Sequence, residues 1–211
     1  MHWVRRVMRG QTDMDPSPAL LLRLLQVIEE DIAPLTAAGV AGGNKIFGAA
    51  LLRKSDFSLF LAETNNEREN PLWHGEMHCL KRFYEIPGGS RPPTQDLIFL
   101  STHEPCSLCL SAITWAGFDN FFYYFSYEQS RDSFAIPHDL RILGEVFRLP
   151  TGDYAKSNAF WKSCGIPEAI GRLPAADQPP FNARKERIDR LYERFSETYQ
   201  ASKPGSDIPL S

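Results

Sequence analysis

Two dense apolar runs, DLIFLS (96–101) and DNFFYYFS (119–126), flank one short stretch, and their spacing constrains the fold more than any other feature. Near-continuous apolar runs of this length belong to strands covered on both faces. Pro105 opens the stretch between them as a helix through Trp115. Upstream, PSPALLLRLLQVIEEDIAPL (16–35) places Leu21, Leu24, Leu25 and Ile28 at helical spacing, an amphipathic helix of about four turns. KIFGAALLRK and FSLFLAET read as two strands joined at Ser55-Asp56, a hairpin signal. After a polar loop, Pro71 starts a helix carrying His74 through Tyr84, and PGGSRPPTQ (87–95) is a loop. The order helix, strand, strand, helix, strand, helix, strand predicts an α/β fold. Its expected form is a three-layer α/β/α sandwich with a mixed central sheet. The 211 residues, 43% of them hydrophobic, suffice for one such core.

Beyond residue 126 the pattern thins, and no fifth strand is read there. HDLRILGEVF places Leu140, Leu143 and Phe147 on one helical face. A Pro- and Gly-rich stretch follows, with a short helix expected near Trp161. The last helix, NARKERIDRLYERFSETYQ, aligns Ile188, Leu191, Tyr192, Phe195 and Tyr199 on one stripe. Its basic and acidic side chains nearly cancel, as on a solvated face. The opening MHWVRRVMRG has no apolar core of signal-peptide length and reads as a flexible tail over 1–16. No apolar run approaches the roughly 20 residues of a membrane helix. With 23 basic against 26 acidic residues, no global positive field attracts nucleic acid.

Chemistry concentrates in HGE (74–76) and EPCSLC (104–109). Cys106 and Cys109 are i and i+3, so their sulfurs share a face of one helical turn. The positive end of that helix favours thiolate. His74, Cys106 and Cys109 together suit tetrahedral Zn2+ with one position open to water. Glu76 lies beside His74 and need not bind metal, so it is free to shuttle protons. Four cysteines in this length make no disulfide framework, and the Cys-x-x-Cys pair points to a reducing, cytoplasmic setting. Cys79 and Cys164 read as small core residues, His78 as a packed helix residue, His103 as structural, and Glu104 as a partner for backbone groups near its loop. Trp115 reads equally as core or as a pocket wall, and Asn65 and Asn66 suit a turn.

H-x-E followed by P-C-x-x-C resembles the signature of the zinc-dependent cytidine-deaminase-like superfamily. STHEPCSLCLSAITWAGFDNFFYY and NPLWHGE look most like its guanine deaminase and tRNA adenosine deaminase branch, over roughly residues 44–126. Leu108 stands where that branch has Met, Trp73 where it has a small residue, and Gly75 where it has Ala. The resemblance implies a cytidine-deaminase-like fold and a zinc deaminase catalytic domain, expected over 17–150; residues 151–211 read as a C-terminal extension with a terminal amphipathic helix, packed on the same domain. It implies Zn2+ on His74, Cys106 and Cys109, Glu76 as catalytic acid–base, and substrate contacts from Asn66, Asn65, Trp115 and Gly75. The implied reaction is hydrolytic loss of an exocyclic amine from a small nucleobase or nucleoside, leaning to a guanine-type purine, by a homodimer. The alternatives are a tRNA adenosine or cytidine deaminase, which the acidic balance disfavours, and an inactive zinc-binding subunit, which retention of Glu76 disfavours.

Overall fold

A computed structural model describes residues 16–210. The expected N-terminal tail falls almost wholly outside them. Helix α1 spans Pro18–Val27; Ser17 Oγ accepts the Leu20 N–H at 3.2 Å, and Pro18 takes the first helical position. A π-helical turn, Ile28–Ile32, carries α1 into α2, Ala33–Ala41. Pro34 sits in the first turn of α2, where its missing N–H is no loss.

Strands β1 (Gly48–Arg53) and β2 (Leu59–Thr64) form the expected antiparallel hairpin. Asp56 Oδ1 fastens its turn by accepting from the Ser58 N–H and hydroxyl. Helix α3 (Gly75–Glu85) leads to β3 (Leu97–His103), then α4 (Ser107–Trp115) and β4 (Asn120–Phe125). β3 runs antiparallel to β1 and parallel to β4. Every residue of β3 and β4 is buried, as two continuous apolar runs require. The aromatic residues of β4 are therefore interior and offer no outer surface.

The last part of the chain departs from expectation. Helices α5 (Tyr127–Asp132) and α6 (His138–Glu145) follow β4; α6 buries Leu143 and leaves Phe147 just beyond it exposed. No helix forms near Trp161. Instead Lys162–Gly165 is a fifth strand, β5, parallel to β4. Its sequence, KSCG, lacks an apolar alternation because it is a short edge strand, held through backbone pairing to one neighbour. The indole of Trp161 packs against Phe121 and donates to Thr114 Oγ1 at 2.8 Å. Helices α7 (Ile166–Gly171) and α8 (Pro179–Ser202) complete the fold.

The sheet order is β2-β1-β3-β4-β5, mixed, with helices on both faces. Strand alternation divides the core in two. Ala50, Leu52, Leu100 and Phe122 face Leu21, Leu25 and Ile28 of the first helix and Ile188 and Tyr192 of α8. Ala49, Leu51, Phe99 and Phe121 face Cys79 and Phe83 of α3 and Ile113 of α4. On α8, Ile188, Tyr192 and Tyr199 are buried, while Leu191 and Phe195 are partly so. Glu29, in the π turn, pairs with Arg184 and Arg187 and ties α8 to it.

Candidate metal centre and active site

The two motifs converge. His74 is the residue just before α3, and Cys106 the residue just before α4. Both helices lie on one face of the sheet, and Cys109 sits in the first turn of α4. His74 Nδ1 is 3.5 Å from Cys106 Sγ and 3.7 Å from Cys109 Sγ, and the sulfurs are 3.5 Å apart. A tetrahedral zinc with ordinary Zn–S and Zn–N bonds has ligand–ligand edges of about 3.5–3.8 Å. The three donors therefore already stand at zinc-site spacing, as one cluster.

Burial pushes the Cys109 thiol well up, whereas the hydrogen bond from Cys109 holds Cys106 well down, so one thiolate is favoured over two. A second thiolate would be repelled by the first unless a cation lay between them. Burial would lower His74, but the neighbouring Cys106 overrides it and raises the imidazole to about 9.

Glu76, also buried, lies in the first turn of α3. One carboxylate oxygen accepts from Ser101 Oγ at 2.9 Å, and the other is 3.4 Å from Cys109 Sγ. Burial, with Cys106 next, raises its affinity for a proton. Gly75, between ligand and acid, has a structural reason to be glycine: a Cβ there would lie 2.6 Å from the Gly48 Cα. The start of α3 thus rests on the backbone of β1.

Asn65 is almost fully buried, at 1% exposure. Its Oδ1 accepts the Gly75 N–H, and its Nδ2 donates to Glu67 Oε2 at 2.9 Å. Glu67 in turn holds Lys45 in a buried ion pair at 2.7 Å. This chain of contacts fixes the loop before His74. Asn66 instead donates to Glu69 at 2.7 Å. Trp115 is 91% exposed, which rules out the core reading of it. His78 hydrogen-bonds the Thr64 carbonyl region at 2.9 Å, pairs with Glu63 and stacks on Trp73.

A small cavity opens beside the cluster, lined by Phe47, His74, Glu76, His103, Glu104, Cys106 and Asp139. Its ≈ 10 Å³ of free space holds about one water, so a heterocycle needs one wall to draw back. Phe47 and Asp139 were not among the sequence candidates. Asp139 comes from α6, and no local motif marks it; burial, with Cys106 next, pushes its carboxyl up to about 8. Glu104 does hold a backbone group, accepting the Tyr127 N–H at 3.2 Å. It also accepts from Tyr154 Oη at 2.7 Å and pairs with Lys156. Lys156 lies 3.9 Å over the Tyr154 ring.

Residues 30–125 match the family model of the cytidine and deoxycytidylate deaminase zinc-binding region. Comparison with curated proteins returns no match. Among solved structures, a guanine deaminase from Bacillus subtilis aligns at 21% identity and a TM-score of 0.48, over 76% of this chain and 93% of that one. A structure from work on tRNA:A34 deaminases aligns at 20% identity and a TM-score of 0.44, over 66% and 96%. A single-residue variant protein in complex with 8-azaguanine aligns at 13% identity and a TM-score of 0.50, over 90% and 98%. At 13% identity the last likeness is one of fold.

Proposed function

We propose that this chain, which belongs to the zinc-dependent cytidine-deaminase-like superfamily, is a hydrolytic deaminase of small nucleobases or nucleosides, of guanine type. One observation carries the reading: a buried carboxylate, Glu76, stands 3.4 Å from the sulfur of a His-Cys-Cys cluster and lines the same cavity. His74, Cys106 and Cys109 would hold Zn2+. When bound, the metal supplies a Lewis acid that makes water nucleophilic at neutral pH. Glu76 takes the proton from the attacking water and delivers protons to the ring nitrogen and the departing amine. The ring carbon gains a carbonyl and ammonia leaves. Ser101 orients the Glu76 carboxylate. Asp139 is a third acid at the cavity wall, with Glu76 and Glu104, and is a candidate to hydrogen-bond a bound ring. Asn65 positions the start of α3 through Gly75, and Asn66 remains a candidate substrate contact on the same loop.

A homodimer suits the exposed stripe of α4, where Leu108 and Trp115 project into solvent. Among the described residues, no helix is long and apolar enough to cross a membrane. A cytoplasmic, reducing setting suits cysteines that form no disulfides there. The test is a panel of free bases, nucleosides, nucleotides and short RNA and DNA strands, assayed for ammonia. Release from a free purine base far above that from any strand supports the reading. Turnover of strands alone would replace it with a nucleic-acid deaminase, whose backbone contacts need a basic surface.

A further inference from the structure

His103 ends β3, immediately before the Glu104-Pro105-Cys106 turn, and is 3% exposed. Aromatic rings enclose it. Phe47 meets it edge-on at 4.6 Å, Phe125 lies at 4.8 Å, Phe134 at 5.4 Å and Tyr192 at 5.6 Å. The two ring nitrogens have different surroundings. Nδ1 is 3.0 Å from Thr102 Oγ1. That hydroxyl accepts the Gly48 N–H at 2.9 Å and donates its one hydrogen to the Gly48 carbonyl at 3.2 Å. With its hydrogen on the Gly48 carbonyl, the hydroxyl meets Nδ1 as an acceptor, which is the tautomer in which Nδ1 carries the ring proton. Burial keeps the imidazole neutral. Nε2 is then a bare lone pair, and it is buried without a partner among the described residues.

Buried acceptors are rarely left unmet. His103 lines the cavity that also touches His74, Glu76, Cys106 and Asp139. We propose that His103 is a specificity-determining residue, whose Nε2 accepts a hydrogen bond from a substrate N–H other than the amine that leaves. This rests on the deaminase reading above and narrows its substrate class. A guanine-type base keeps a ring N–H after its amine is set aside. Adenosine and cytidine do not: the only N–H groups on those bases belong to the amine being lost. Their ring nitrogens and carbonyls are acceptors and would oppose one lone pair with another. His103 thus favours bases that keep a ring N–H, guanine among them, and rejects adenosine and cytidine, whether free or within a strand.

The experiment uses the zinc-loaded full chain, as wild type, His103→Phe and His103→Gln. Binding of guanine, its N-methylated forms, adenosine and cytidine is measured by calorimetry, and ammonia release in parallel. Phe keeps a ring among the aromatics but has no lone pair; Gln restores an acceptor oxygen. His103→Phe should weaken guanine binding by about 10- to 100-fold, the worth of one buried hydrogen bond. It should leave the weak binding of adenosine unchanged, and His103→Gln should recover part of the loss. On the ligand side, one N-methylated guanine should bind the wild type as poorly as guanine binds His103→Phe; this arm decides if the variant does not fold. Wild-type guanine affinity in a folded, zinc-loaded His103→Phe, or a wild type that prefers adenosine or cytidine, would overturn the proposal. Guanine binding that depends on His103 without ammonia release would sustain it while removing the deaminase reading. No binding of any heterocycle would remove both.

Discussion

Residues 44–126 and residues 127–205 contribute to the same site by different means. In the first region, each candidate metal-ligating side chain sits at or beside a helix start, and the strands before those helices, β2 and β3, flank β1 in the sheet. Their spacing is set by a few residues of local backbone. In the second region, Asp139 arrives from α6, Tyr154 and Lys156 grip Glu104 from a loop, and Phe134 and Tyr192 cover His103. Those contacts depend on where distant segments pack. The difference teaches that the candidate metal cluster is a local property of two motifs, whereas the pocket that would choose a substrate is a property of the whole fold.

The largest expected effect lies in the first region. The Cys106→Ala, Cys109→Ala double variant should lose zinc and melt lower than any other variant named here, because metal binding and folding are coupled. A chelator should lower the melting temperature of the wild type and leave that of the double variant unmoved. Full zinc occupancy in the double variant would break the comparison at its root.

A smaller effect belongs to the seam between the regions. Glu104→Ala leaves the Tyr127 N–H and Tyr154 hydroxyl without their acceptor, which should cost about 1–3 kcal/mol. At about 2–4 °C per kcal/mol for a chain of this size, calorimetry should show a drop of several degrees. Zinc content should stay near one per chain. Loss of zinc at an unchanged melting temperature would mean Glu104 serves the metal cage instead of joining the second region to it.

The smallest effect on the subunit itself is expected at the surface. Trp115→Ala should change monomer stability by less than about 0.5 kcal/mol, since the side chain is exposed. It should still convert a dimer to a monomer in light scattering at micromolar concentration, if α4 is the contact. A dimer unaffected by this variant would place the contact elsewhere.

The same contrast decides what could be read from the chain. The ligand set and Glu76 were visible because His-x-Glu and Pro-Cys-x-x-Cys keep their spacing within single turns. The central strands were visible because two-sided burial writes itself as unbroken apolar runs. The π turn was hidden, since the Ile28–Ile32 stretch keeps a helical apolar pattern. β5 was hidden because an edge strand of four residues, Lys162–Gly165, carries no periodic signal. Asp139 resembled any acid at a helix start until α6 placed it beside His74 and Glu76. The sequence reads His103 as structural because no motif requires a role of it; only its unpartnered nitrogen in the fold marks it otherwise. Trp115, by type a core residue, is exposed because it ends a short helix whose buried side is Cys109 and Ile113.

The central claim is that Glu76 moves protons at a zinc held by His74, Cys106 and Cys109. The most direct test measures zinc content, melting temperature, heterocycle binding and ammonia release on one variant, Glu76→Gln. The substitution keeps the size of the side chain and removes its ability to take a proton. Zinc, stability and binding should stay close to wild type while turnover falls by about 10²–10⁴-fold, the usual worth of a general acid–base group. Near-normal ammonia release from a folded, zinc-loaded Glu76→Gln would contradict the account and require another acid in the role.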